Sequence, residues 1–325
     1  MKRIRLSFLG LGVVGSQLME YIRDRLDGTV FGGAGISVHK VFVRDVTKKR
    51  WIDISGLTLT SNPYDAIRDA DIVVECMGGS GTELTRDLLL AAVREHKSVI
   101  MSSKKCLALY GRELVHAAEE CGTSLCYDAT VGGGIPISAV LASMGKCETT
   151  TRIYGICNAT SNLILSEMSG GAGYEAALRR AQALGYAEND PSEDVDGLDA
   201  LYKAVILMGF GMGHWADCGS IKPLSIRNLT AADLRKAGKE AYVIKPVFSV
   251  ERQGEEFSCF IGPRPVPTDS ILAPVKGNNN IIVIRGSESG DRAFYGQGAG
   301  AKPTASAMFD DLIRTLLEMR APCRL

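Results

Sequence analysis

Two stretches of the chain carry side chains suited to work on a carbonyl or alcohol oxygen. Ser102-Ser103-Lys104-Lys105 places two ammonium groups beside two hydroxyls at the end of an apolar run. Gly185-Tyr186-Ala187-Glu188-Asn189-Asp190-Pro191 leads into Asp196-Gly197-Leu198-Asp199-Ala200-Leu201-Tyr202-Lys203, where Asp199 and Lys203 stand four apart. On a helix that spacing puts both on one face, so the carboxylate can orient the ammonium. Taken alone, such a pair is usually surface decoration contributing a few tenths of a kcal/mol.

A third stretch, Gly10-Leu11-Gly12-Val13-Val14-Gly15, follows the apolar run Leu6 to Leu9 and precedes Ser16 to Leu26, where Leu18, Met19, Ile22 and Leu26 recur at helical spacing. In that context the first glycine permits a tight turn and the second lets the backbone approach a pyrophosphate. The third lets helix and strand pack closely, and the helix N-terminus turns free N–H groups toward the phosphates. A second apolar run, Val38 to Val43, ends in Arg44-Asp45 and then Lys48-Lys49-Arg50. Arg44 suits the 2′-phosphate of NADP, whereas NAD sites more often place a carboxylate there. The run also fits a solvated surface, and Asp45 leaves NAD open.

The elements that must position these groups follow from the hydrophobic pattern. Strands are expected at Leu6 to Leu9, Val38 to Val43, Leu57 to Thr60, Asp71 to Cys76 and Ser98 to Met101, with a helix from Leu84 to Val93. Continuous apolar strands separated by helices imply a parallel sheet buried on both faces, the doubly wound Rossmann-type α/β pattern. Lys105 then falls at the carboxyl end of the fifth strand, where such folds bind ligands. After about residue 130 helical segments alternate with strand-like runs, which predicts an α+β domain. Helices are expected at Ile135 to Met144, Ser161 to Ser169, Tyr174 to Leu184 and Leu198 to Met212, and strands at Thr151 to Ile156, Tyr242 to Val250 and Ile281 to Ile284. The expected division is a dinucleotide-binding domain over 1–130 and a second, α+β domain over 131–302, with a final helix at 303–320 packing back on the first.

Composition narrows the class. The 325 residues are 46% hydrophobic and 23% charged, enough for two cores. Lys plus Arg and Asp plus Glu number 37 each, so no global field draws the chain to nucleic acid or an anionic membrane. No run approaches the roughly 18 apolar residues of a membrane span, and the basic start, Met1-Lys2-Arg3, leads into a strand rather than a signal peptide. Nine cysteines without a Cys-x-x-Cys pair fit reduced thiols in a cytoplasmic protein. Cys323, near the end, fits an exposed spectator thiol or an inter-chain disulfide.

Longer blocks carry a resemblance. Val74-Glu75-Cys76-Met77-Gly78-Gly79, Ser102 to Lys105, Tyr127-Asp128-Ala129-Thr130-Val131-Gly132-Gly133-Gly134-Ile135-Pro136, Gly155-Ile156-Cys157-Asn158-Ala159-Thr160-Ser161-Asn162, Glu188 to Lys203 and Gly296-Gln297-Gly298-Ala299-Gly300 through Ala307 follow one another along the chain. In order and over nearly the whole sequence they resemble homoserine dehydrogenase. The resemblance implies NAD(P)-dependent interconversion of L-aspartate 4-semialdehyde and L-homoserine, in the threonine, methionine and isoleucine branch of amino-acid biosynthesis, by a homodimer whose 131–302 domain binds substrate and dimerises. It implies Lys105 and Lys203 as catalytic lysines and Thr160, Glu188 and Asp199 as substrate contacts. Gly10, Gly12, Val13, Val14, Gly15, Arg44, Ser102, Lys105 and Gly298 would serve the cofactor. A monovalent cation would sit on main-chain carbonyls of Asp128, Val131, Gly133 and Ile135. Lys104, Asp128 and Ala159 stand where the family usually has Asn, Glu and Gly. The chain ends soon after the last block, which predicts a short form without an appended regulatory domain.

Two rivals are set against this reading. A phosphorylating semialdehyde dehydrogenase needs a Cys nucleophile with a His base; Cys157 superficially suits, but the four histidines lie in no recognisable motif. A non-catalytic dinucleotide sensor would keep the glycine turn and has no need of both lysines and their acidic companions.

Overall fold

The computed structural model describes residues 3–26, 35–78, 81–144 and 148–319. Met1, Lys2, Gly28, Gly32, Gly33, Gly79, Cys147 and Cys323 lie outside them. The chain folds as two compact units, one running to Thr130 and resuming at Ala301, the other Val131–Gly300.

The first unit contains β1 (Ile4–Leu9), α1 (Val13–Leu26), β2 (Ile36–Phe42), β3 (Leu59–Thr60), α2 (Pro63–Arg68), β4 (Ile72–Glu75), α3 (Thr82–Arg94), β5 (Ser98–Met101), α4 (Lys104–Cys121) and β6 (Leu125–Cys126). The sheet runs β3-β2-β1-β4-β5-β6 with every pair parallel. All four residues of β4 and all four of β5 are buried, as strands covered on both faces must be. Strand order reverses between β1 and β4, and the crevice beyond their carboxyl ends is where such sheets take ligands. The glycine turn leaves β1 there, and Glu75 ends β4.

The second unit contains α5 (Ile137–Met144), β7 (Thr150–Ile156), α6 (Ala159–Ser169), α7 (Tyr174–Ala183), α8 (Ser192–Val195), α9 (Leu198–Met212), α10 (Ala231–Lys239), β8 (Tyr242–Gln253), β9 (Glu256–Pro267), β10 (Asn279–Gly286) and β11 (Gly290–Gln297). Its sheet runs β11-β10-β7-β8-β9, antiparallel throughout. Helix α9 is apolar around most of its circumference and accordingly buried, packing on β7 and β8. Pro263, Pro265 and Pro267 lie on β9, an edge strand, where a missing N–H breaks no ladder if it faces outward.

Helix α11 (Ala301–Glu318) belongs to the first unit. Its Met308, Leu312 and Leu316 share a core with Leu18, Met19 and Ile22 of α1, and Phe309 meets Tyr21 edge-on at 6.4 Å. Pro303 is its third residue, still within the first turn whose N–H groups need no intrahelical partner. Among the described residues no helix is long and apolar enough to cross a membrane, and the seven described cysteines are free thiols.

Candidate active site

The glycine turn is shaped by close approach. Gly10 has φ +102°, and a Cβ on it would stand 2.5 Å from the Cys76 carbonyl oxygen; one on Gly15 would meet the Gly10 carbonyl oxygen at 2.9 Å. These two glycines let β1, α1 and the end of β4 touch. At Gly12 a Cβ would meet nothing within 4 Å, so the backbone there faces open space, and Val13 beginning α1 is 65% exposed. The space is a cleft of about 450 Å³ lined by Gly10, Gly12, Val43, Arg44, Asp45, Lys48, Arg50 and Met77 among others. Its size and the free helix N-terminus fit a dinucleotide.

Charges of both signs line part of the cleft. Asp45 Oδ1 accepts from Thr47 N and Thr47 Oγ1 at 2.8 and 2.7 Å, bonds that hold its carboxyl below the usual range. Arg50 donates to the carbonyls of Lys48 and Asp45. The Arg44 guanidinium is exposed and has no hydrogen-bond partner among the described residues.

Glu75 was not anticipated as a site residue. Fully buried, it accepts from Met77 N at 2.8 Å, Ser102 N at 3.1 Å and Ser103 N at 3.0 Å, while Ser102 Oγ donates to its carbonyl. Burial raises its carboxyl pKa and the three N–H bonds pull the other way. It thus ties the end of β4 to the turn that presents Ser102 and, at the second residue of α4, Lys105. The first turn of α4 holds two lysines and no acid, the reverse of what the helix dipole prefers. Positive charge is thus concentrated at the start of α4.

In the second unit, Asp199 and Lys203 do pair, with Nζ donating to Asp199 Oδ2 at 2.7 Å, and both side chains are only 9% exposed. The pair is therefore internal, not the exposed decoration its spacing alone describes. Lys203 Nζ also donates to the Cys157 carbonyl at 2.8 Å. An ammonium has three protons, and these two acceptors leave one for a ligand. Asn158 Nδ2 donates to Asp199 Oδ2 at 2.8 Å and to Asp194 Oδ1 at 2.7 Å. Asp194, absent from the sequence-level set, is pushed to a raised pKa by burial and then by the Asp199 charge, with Asn158 countering. With both carboxylates ionised, the cluster carries one negative charge in excess.

The remaining candidates are distributed unevenly. Thr160 is buried beside this cluster and donates to the Tyr186 carbonyl at 2.8 Å. Glu188 is exposed, and no described residue bonds its carboxylate. Gly298 is pinned by its N–H to the Asn278 carbonyl at 3.2 Å and by the Asn280 side chain beneath it. Cys157 is buried and its thiol is pushed up to about 12, the opposite of an activated nucleophile.

Of the four carbonyls proposed for a cation, that of Ile135 accepts from Ile137 N at 2.8 Å, and those of Val131 and Gly133 receive no bond among the described residues. The Asp128 carboxylate faces Arg314 at 3.1 Å. Open oxygens at two positions fit a monovalent ion.

Comparison with known proteins bears on this arrangement. Residues 10–128 match the family model described as "Homoserine dehydrogenase, NAD binding domain", and residues 136–313 match the one described as "Homoserine dehydrogenase". The homoserine dehydrogenase of Bacillus subtilis (strain 168) is 36% identical over 324 residues, covering 98% of this chain and 74% of the relative. The chain belongs to the homoserine dehydrogenase family. A homoserine dehydrogenase from Synechocystis is 38% identical over 95% of this chain and 72% of its own. Among solved structures, the homoserine dehydrogenase of Thiobacillus denitrificans superposes with a TM-score of 0.91 at 35% identity, over 100% of this chain and 76% of that one. A hyperthermophilic archaeal homoserine dehydrogenase in complex with NADPH gives 0.80 at 28% identity, over 97% and 98%. As a homoserine dehydrogenase family member, the protein is an oxidoreductase acting on a hydroxyl or aldehyde with NAD(P).

Proposed function

We propose that this homoserine dehydrogenase interconverts L-aspartate 4-semialdehyde and L-homoserine with NADP preferred over NAD, and that Lys203 handles the proton at the substrate oxygen. The nicotinamide cofactor, held by the Gly10 to Gly15 turn with Arg44 at its 2′-phosphate, supplies or accepts the hydride. As the aldehyde is reduced its oxygen gains negative charge, and an ammonium beside it stabilises that charge and donates the proton. In the oxidative direction the neutral amine takes the hydroxyl proton. Asp199 and the Cys157 carbonyl fix two of the three Lys203 donors, so the lysine enters with one direction left to offer. This observation carries the proposal.

The cluster's excess negative charge suits the substrate α-ammonium, with Asp194 as the added partner beside Thr160 and Glu188. Lys105 is assigned to charge stabilisation or proton transfer from the positive end of α4, with Ser102 and Gly298 on the cofactor. The free thiols fit a cytoplasmic enzyme, and the working assembly is a homodimer, which light scattering on the purified protein measures directly.

The test is turnover with each substrate and with NADH and NADPH. Lys203→Ala and Lys105→Ala each lower kcat by about 10²–10⁴ while cofactor affinity stays within a few-fold. Near-wild-type turnover in both variants removes the assignment; tight NADPH binding with no absorbance change on either substrate turns the reading toward a sensor.

A further inference from the structure

Asn158 occupies the centre of the buried cluster, and its amide is fully committed. The side chain is in a residue only 3% exposed, and its Oδ1 accepts from Ser161 N at 2.7 Å, capping α6. Because the Ser161 N–H can only donate, that bond fixes which end of the carboxamide is oxygen, and the NH₂ must face the two carboxylates. Its two protons go to Asp194 Oδ1 and Asp199 Oδ2 at 2.7 and 2.8 Å. The preceding residue, Cys157, lends its carbonyl to Lys203 at 2.8 Å. Residues 157 and 158 therefore hold both partners of the Asp199–Lys203 pair, one through backbone and one through side chain.

We infer that Asn158 is a positioning residue: by clamping Asp194 to Asp199 it sets the direction of the one Lys203 proton left for substrate, and it couples that proton to the carboxylate facing the substrate ammonium. This rests on the Lys203 reading given above. Without the amide protons, two like charges face each other in a buried space and Asp199 Oδ2 loses one of its two described donors. The repulsion turns the Asp199 carboxylate, and the ammonium it holds moves with it. Displacement of a catalytic group by about 1 Å costs on the order of 10²-fold in rate.

Asn158→Ser separates this role from capping, since serine caps a helix about as well as asparagine and its short hydroxyl cannot span two carboxylates. The expected result is a kcat loss of about 10- to 100-fold, a raised KM for homoserine, NADPH affinity within twofold of wild type, and a larger isotope effect with 4-deuterated NADPH because the chemical step becomes limiting. A merely structural defect lowers the concentration of active sites, which scales apparent kcat and leaves KM and the isotope effect unchanged; that pattern, or wild-type kinetics, overturns the inference. Asn158→Asp, isosteric and equally able to cap, carries the same expectations if the serine variant does not fold. In a Lys203→Ala background, Asn158→Ser produces no further kcat loss but still raises KM. A full additional kcat loss there means that Asn158 does not act through Lys203. If Lys203→Ala itself turns over normally, the reading of the site fails; if it is impaired and Asn158→Ser is not, only this inference does.

Discussion

Lys245 on β8 is a buried ammonium that takes no part in the chemistry above. It donates to the Val275 carbonyl, and burial, then the charge of Lys276, holds its pKa down to about 8. In the unfolded chain a lysine titrates near 10.4. Between those values the unfolded state holds a proton that the folded protein has released, so stability rises with pH across the window, and the cost of the buried cation is fully felt below it. Lys245→Met should therefore raise the melting temperature near pH 7, with the advantage shrinking toward pH 10; an equal advantage at both would show that no cation is buried there. At the same scale, the Asp199–Lys203 spacing was legible in the sequence while its burial was not. Asp194 and Asn158 escaped notice because their role comes from contacts 36 and 41 residues apart along the chain, which no local pattern encodes.

Among the elements, α9 was read from Leu198 to Met212 because its apolar residues are large and begin just after Gly197, which adopts φ +82°. Helix α4 was missed over all 18 residues. Its buried face is Cys106, Ala108, Gly111, Ala117 and Ala118 with only Leu107 and Leu114 among them, small side chains that give little periodic hydrophobicity. Strand β9 was missed because three prolines read as a break, and β11 because its residues are largely exposed and polar. Helix α10 was missed too, though it has a capping box in which Thr230 Oγ1 accepts from Asp233 N and Asp233 accepts from Thr230 N. Thr230→Ala should cost this helix about 1 kcal/mol. Hydrogen exchange of α10 amides measures it as a loss of protection of roughly fivefold, with Thr230→Ser nearly silent; unchanged protection in the alanine variant would show that the cap is idle.

For the whole molecule, the parallel sheet followed by an α+β unit was legible, since continuous apolar strands and a later change of rhythm are both written in residue order. Charge was legible as a sum but not as a map. Lys plus Arg balance Asp plus Glu at 37 each, and under the proposed preference for NADP the discrimination falls to the few cations lining the cleft. Arg44→Ala should weaken NADPH more than NADH in equilibrium fluorescence titrations, and equal weakening of both would mean that Arg44 does not read the 2′-phosphate.

The second sheet's outer border has its own consequence. Pro263 lies directly opposite Pro246 across β8 and β9, so neither can donate to the other, and the nitrogens at 263, 265 and 267 all point away from the sheet by the strand's alternation. Every other strand position there offers an N–H, but those turn inward to β8. Over these five residues an incoming extended chain finds carbonyls and no proton to grip, which denies fibrous self-templating a foothold along that margin.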